Sequence, residues 1–383
     1  MIAAINSVRT GINPIPGKSA RVSKRETADP GADHPWDYRP ADPVKLTHAD
    51  LARKEFGVSG KGQTVVVIGS GFEDPDIPLK AWVDPMEKSE KPEDPIGDGT
   101  HMAKNILKIA PQADLAVLRV LNKDGAGSVI TAASGIDWAV AHKEDLGIKV
   151  VVVPFSRPPV IVGFPAPVIL PSHMSKAARR ALDAGLVVVA AAGDGRRRIG
   201  SPAEVPGVIA VASAKDENTL SEFNNWGPAF WGADKPDVAA PGEYIATPLP
   251  KGCYYEQKAQ KTQEIRDMDD PALVKRLKKD KDLRKSLNLP DNILKVSPAE
   301  REALVKNALP GYYPALEGIA IPGSRIAASL VAGVAALVLE ANPDLTPQEV
   351  REIIMETAGP LGNEKTGLVD AQKAVARAKQ KPE

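Results

Sequence analysis

The sequence predicts an α/β protein: a mostly parallel sheet with helices on both faces, a three-layer α/β/α arrangement, interrupted once by a helical insertion. Three observations carry this. Between residues 61 and 212, short β-branched runs alternate with segments of helical period, as in successive strand–helix–strand units. The runs are apolar throughout rather than alternating, as in strands buried on both faces. From about residue 255 to 310 the runs vanish, and charged, helix-forming sequence replaces them.

The elements follow in order. Residues 1–56 are a proline-rich N-terminal arm, extended or disordered from Ser7 to Tyr38, with one short helix between Pro43 and Phe56. Thr64–Ile68 is the first buried strand and Thr100–Ile109 the first long helix. Asp114–Leu121 is a second strand. Ser128–His142 is a helix with Ile130, Ile136 and Val140 on one side. Lys149–Val153 is a third strand. Ser175–Ala184 is a helix ending at Gly185, a residue that tolerates the left-handed conformation beyond a helix end. Leu186–Ala192 and Val208–Ala212 complete five strands. In the insertion, Asp270-Pro271 opens a helix carrying Leu273, Val274, Leu277 and Leu287. Ser297-Pro-Ala-Glu300 is a capping box opening another, with Leu304 and Leu309. An apolar helix then runs from Ser324 to Ala341 and stops at Asn342-Pro343. Thr346 to Glu349 caps a further helix, and Val369–Lys379 closes the chain.

Composition narrows the function. The 383 residues are 43% hydrophobic, enough for a large core. Forty-nine basic residues balance forty-nine acidic ones, which disfavours a nucleic-acid-coating or membrane-surface protein. The single cysteine, Cys253, excludes an intramolecular disulfide and a zinc ribbon. No basic region followed by an apolar run marks a signal peptide at the N-terminus, so a cytoplasmic location is favoured while the compartment stays open. No apolar stretch reaches the roughly 18 residues of a membrane span; Ile326–Leu339 reads as a buried core helix.

Several blocks, in order, resemble the subtilisin-like serine proteases, the peptidase S8 fold. Gly60-Lys-Gly-Gln-Thr-Val-Val-Val-Ile-Gly69-Ser-Gly71 resembles the strand that delivers that family's catalytic Asp. Gly97-Asp98-Gly-Thr-His101-Met-Ala103 resembles its His-Gly-Thr-His motif. Ala190-Ala-Ala-Gly-Asp194-Gly195 resembles the block carrying the oxyanion Asn. Pro236-Asp-Val-Ala-Ala-Pro-Gly242 and Gly323-Ser-Arg325-Ile-Ala-Ala-Ser-Leu-Val-Ala-Gly-Val-Ala-Ala-Leu337 match later blocks, the last being the nucleophile helix. The resemblance implies a subtilisin-like domain over 57–383, with the insertion at about 255–310. Calcium is common in the family, but the short stretch Met102–Pro111 lacks one of its calcium loops. No metal and no cofactor are therefore expected.

The same register places Gly69 at the Asp position, Asp98 at the His position, Arg325 at the Ser position and Asp194 at the oxyanion Asn position. The family's chemistry needs a hydroxyl nucleophile, an imidazole base, an orienting carboxylate and an amide donor. A guanidinium has no nucleophilic lone pair, and a carboxylate repels an oxyanion. The resemblance implies instead an Asp98–Arg325–Asp194 ion cluster filling a dead site, with Gly69 leaving space. His101 reads as a structural histidine; Ser70 and Ser324 have no base in reach. The proline-rich stretch from Pro154 onward is a poor peptide-pairing strand, and Val160, Ile161, Phe164 and Ile169 are candidates to plug the groove. Arg196–Arg198 reads as a water-facing run. Lys275, Arg276, Lys278, Lys279, Arg284 and Lys285 are candidates for partner binding on the insertion. The functional expectation is a pseudoprotease, without catalytic residues, acting as a protein-binding, regulatory or structural scaffold for a protein partner or larger assembly. The alternative is an atypical hydrolase with relocated catalytic residues.

Overall fold

The computed structural model describes residues 8–9, 41–158, 160–162, 168–227, 234–309, 311–315 and 317–380. Seven parallel strands form the central sheet. Their order across it is Val238–Pro241, Ile209–Ala214, Val187–Ala191, Ile148–Val153, Thr64–Gly69, Asp114–Arg119 and Ala81–Val83. Every residue of Thr64–Gly69 is buried, as its unbroken apolar run requires.

The sheet is the middle of three layers because alternate residues point to opposite faces. Val65, Val67, Val150, Val152, Val189 and Val211 pack on one side, against Ala49–Phe56, Asp98–Ile109, Ser324–Ala341 and Ala371–Gln380. Val66, Ile68, Val151, Val153, Val188 and Ala190 pack on the other, against Val129–Ala141 and His173–Asp183. Ser324–Ala341 has 18 residues and is long and apolar enough to cross a membrane by composition, beyond the sequence reading of this segment. It is instead the central core helix: Ser324 and every residue from Ile326 to Leu339 are buried.

Several boundaries differ from the sequence reading. The segment 43–56 holds two helices, Pro43–Leu46 and Ala49–Phe56, split at His48 in left-handed conformation. Ile130 is 59% exposed, in the first turn of Val129–Ala141, although the helical period puts it with Ile136 and Val140. Edge strands Ala81–Val83 and Val238–Pro241 are too short to show a pattern. Of the N-terminal arm, only Val8–Arg9 is described before residue 41. It pairs antiparallel with Ala126–Gly127; the rest of the Ser7–Tyr38 expectation lies outside the described residues.

The insertion splits into two parts. Tyr254–Arg266 packs on the parent domain through Tyr255 and Ala259, against Ile96, Ile319 and Ile321. Asp270–Lys279, Lys281–Ser286 and Pro298–Ala308 build their own small core from Leu273, Leu277, Ile293, Val305 and Leu309. The helix from Asp270, expected from the sequence to carry Leu287, ends at Lys279 instead. It breaks at Asp280, whose side chain caps the next helix by accepting from Leu283 N, and Leu287 ends that second helix. Ser297 caps Pro298–Ala308. Among the described residues the reciprocal capping box forms only at Thr346 and Glu349. A three-stranded antiparallel unit (Ala246–Thr247, Gly318–Ala320, Tyr313–Ala315) returns the chain to the core helix.

Candidate functional site

In an open parallel sheet, side chains converge where strands end and helices begin, at the carboxyl edge. Gly69 ends the central strand Thr64–Gly69, and Asp194 follows Val187–Ala191. Asp98 is the first residue of Asp98–Ile109, and Arg325 the second of Ser324–Ala341.

The structure brings three of these four together. Arg325 Nε donates to Asp98 Oδ1 at 2.6 Å, and its Nη1 lies 3.5 Å from Asp194 Oδ2. The Arg325 and Asp98 side chains are 17% and 10% exposed. Helix-end electrostatics explains the geometry. Asp98 sits at a helix N-terminus, where the helix dipole favours an anion, but Arg325 lies in the first turn of its own helix, where a cation is disfavoured. The two carboxylates offset that. Asp194 also accepts from Ser324 N at 2.8 Å, capping the core helix that Gly323 leaves without a side-chain cap.

A fourth group completes the cluster. Arg325 Nη2 donates to the Tyr255 hydroxyl at 3.1 Å, and the guanidinium lies 5.6 Å from the Tyr255 ring centre. Burial pushes the Tyr255 phenol well above its ordinary range, so it stays neutral and accepts. Tyr312 packs on Tyr255, ring centres 5.3 Å apart. Sequence reasoning missed both tyrosines: the first helix of the insertion carries Tyr255 to Arg325 across 70 residues of chain.

The surrounding polar groups are committed to structure. Ser70 Oγ donates to buried Asp94 at 2.8 Å and accepts from Gly99 N at 2.9 Å. Asp94 also accepts from the Gly97 and Thr100 backbones and the Thr100 hydroxyl, so it fixes the helix start that positions Asp98. Ser324 Oγ accepts from Gly193 N at 3.0 Å. Gly193, at φ 104°, makes the turn before Asp194, and a Cβ there would stand 2.3 Å from Asn225 Nδ2. Asn225 Oδ1 accepts from Gly195 N and Arg197 N, which pins the loop; no motif in the sequence singled it out.

His101 is fully buried. Its Nε2 lies 3.1 and 3.2 Å from the Ile245 and Ile319 carbonyls, and Asn105 Nδ2 donates to its Nδ1 at 2.9 Å. Burial, then the positive charges of Lys108 and Arg325, push its pKa down to about 3, so the ring is neutral at ordinary pH. Among the described residues no histidine hydrogen-bonds to a serine or threonine hydroxyl. Burial also pushes the Cys253 thiol up to about 11, which leaves it a poor nucleophile.

One expectation needs correction. Gly69 does not leave a roomy gap: a Cβ there would meet Gly99 Cα at 3.3 Å, because the helix start crosses directly over the strand end. Arg196, Arg197 and Arg198 are exposed, as the sequence suggested, and Arg196 pairs at the surface with Glu222 at 2.8 Å. Val160–Val162 and Val168–Leu170 form an antiparallel hairpin that includes Val160, Ile161 and Ile169, while Phe164 lies outside the described residues. Lys275, Arg276, Lys278, Lys279, Arg284 and Lys285 lie on the insertion, on two helices whose core is separate from the Arg325 cluster.

The family model described as the subtilase family matches residues 60–274 and 304–379. The chain belongs to the subtilase family. The match omits 275–303, the middle of the insertion. Among curated relatives, "Serine protease AprX" of Bacillus subtilis (strain 168) is 26% identical over 341 residues, covering 81% of this chain and 64% of that protein. "Thermostable alkaline protease" of Halalkalibacterium halodurans is 29% identical over 197 residues, 49% of each. "Subtilisin-like protease 1" of Trichophyton rubrum is 30% identical over 204 residues, 51% of this chain and 38% of that protein. This subtilase thus spans less than two thirds of these relatives. The crystal structure of a cold adapted subtilisin-like serine proteinase superposes with a TM-score of 0.53 at 20% identity, covering 82% of this chain and 88% of that one, and so shares the subtilase fold.

Proposed function

We propose that this subtilase is a non-catalytic member of its family, a pseudoprotease that works as a protein-binding or structural scaffold. One observation carries the reading. Arg325, at the position the motif resemblance assigns to the family's nucleophile, is held by Asp98 at 2.6 Å and by the Tyr255 hydroxyl. A guanidinium cannot attack a carbonyl, and Asp98 stands where a base would be needed. The neighbouring hydroxyls of Ser70 and Ser324 are tied to Asp94 and to the Gly193 backbone, which argues against a relocated nucleophile. The relatives bear the names of proteases; this chain keeps their fold and fills the corresponding positions with a self-satisfied ion cluster.

The test is direct. The purified protein is incubated with a fluorophosphonate probe and, separately, with casein. The expected result is no labelling and no turnover above a heat-killed control. Labelling of any serine, or proteolysis that survives repurification, would overturn the proposal.

A further inference from the structure

The insertion carries charge of one sign on one face, without a structural use for it. Between Lys275 and Lys285 seven basic residues stand against two acidic ones, a net charge of +5 in a chain whose total is zero. At 100° per residue, Lys275, Lys278 and Lys279 share one face of Asp270–Lys279, directly opposite Leu273 and Leu277, which are buried in the insertion's core. The short helix after it repeats the arrangement: Lys281, Arg284 and Lys285 share a face, opposite Leu283. Lys275, Lys278, Lys279, Lys281 and Lys285 are exposed.

A solvated helix face normally mixes signs. The other insertion helices do so: Pro298–Ala308 carries Glu300, Glu302, Arg301 and Lys306, and Lys306 pairs with Glu302. Tyr254–Arg266 also carries both signs. From Lys275 to Lys285, only Arg276 has an ion-pair partner among the described residues, Asp280 at 3.2 Å. The family match is interrupted across this segment, so the face belongs to no part of the shared fold.

We infer that the face formed by Lys275, Lys278, Lys279, Lys281, Arg284 and Lys285 docks an acidic protein segment. This rests on the scaffold reading and deepens it by naming the chemistry of what is held. Three features select an acidic peptide. No aromatic residue lies between Tyr255 and Tyr312, so nucleic-acid bases have no stacking platform here. Leu273 and Leu277 are turned into the insertion's core, so no apolar wedge is offered to a bilayer. Asp280 and Asp282 interrupt the basic run in sequence, which suits spaced carboxylates better than a continuous phosphate backbone.

The experiment titrates the full chain with a fluorescein-labelled oligoglutamate peptide at physiological ionic strength. A single-stranded RNA oligomer and phosphatidylserine vesicles are run in parallel. Saturable peptide binding is expected, weakened at least about tenfold in the triple variant Lys275→Glu, Lys278→Glu, Lys279→Glu, and weakened by added salt. The variant's circular dichroism and melting should match the parent, since all three side chains are exposed. No peptide binding by the parent, equal binding by the variant, or tighter binding of the RNA or vesicles would each overturn the inference. Fluorophosphonate labelling of the same preparations separates the two failures: an unlabelled chain that ignores the peptide loses only the docking face, whereas a labelled chain loses the pseudoprotease reading itself.

Discussion

Two regions of this subtilase use charge in opposite ways. At the carboxyl edge of the sheet, Arg325 is nearly enclosed, with Nε on Asp98, Nη2 on the Tyr255 hydroxyl and Nη1 3.5 Å from Asp194. From Lys275 to Lys285 most of the cations are exposed, and among the described residues only Arg276 pairs with a carboxylate. Charges enclosed with their partners hold local geometry, and removing one strands the others. Exposed charges of one sign contribute little to folding and remain available for binding.

The sharpest way to break this comparison is Arg325→Leu. It removes the partner of the buried Asp98 and of Asp194, whose side chain is 29% exposed. The expected loss is about 3–5 kcal/mol, the usual penalty for leaving buried charge uncompensated. Urea unfolding measures it through the shift in midpoint at constant slope. A change below about 1 kcal/mol would mean that solvent already screens the cluster and that the enclosed half of the comparison is wrong.

How much of this was legible in the sequence follows the range of the interactions. The buried strands were legible because a parallel strand covered on both faces writes itself as an apolar β-branched run, as in Thr64–Ile68. The Asp98–Arg325–Asp194 cluster was legible only because motif blocks fixed the register; no local pattern links residues 227 positions apart. Tyr255 was not legible, since nothing near it in the chain says where the inserted helix docks. Ile130 misled because helical period marks a face but not how far that face stays covered. The break at Asp280 was hidden because Leu273, Leu277 and Leu287 keep a plausible spacing through it, while the deciding contact is a side-chain cap.

Acid sharpens the comparison next. His101 lies in the enclosed region and is held neutral, with its folded pKa lowered from 6.5 to about 3. The unfolded chain therefore binds a proton that the folded chain refuses between those values. Stability is unaffected above about pH 6.5 and falls as pH drops below it, at about 1.4 kcal/mol per pH unit, or roughly 2 kcal/mol by pH 5. The buried Asp94 and Glu204 carboxyls, raised chiefly by desolvation, act with the opposite sign because the folded state takes up their protons first. The difference between the parent and His101→Gln isolates the histidine. Denaturation at pH 7.5 and pH 5 should show the parent losing more than the variant, and parallel losses would refute the assignment.

The smallest expected effect lies on the insertion. Lys278 is exposed and has no ion-pair partner among the described residues. Lys278→Ala removes one of several like charges and should leave unfolding free energy within about 0.5 kcal/mol of the parent. Relief of repulsion from Lys275 and Lys279, together with alanine's higher helix propensity, pushes that small change toward stabilisation. A loss above about 1 kcal/mol would show that Lys278 holds the insertion together. The cationic face would then be a structural element like the Arg325 cluster, and the distinction between the two regions would collapse.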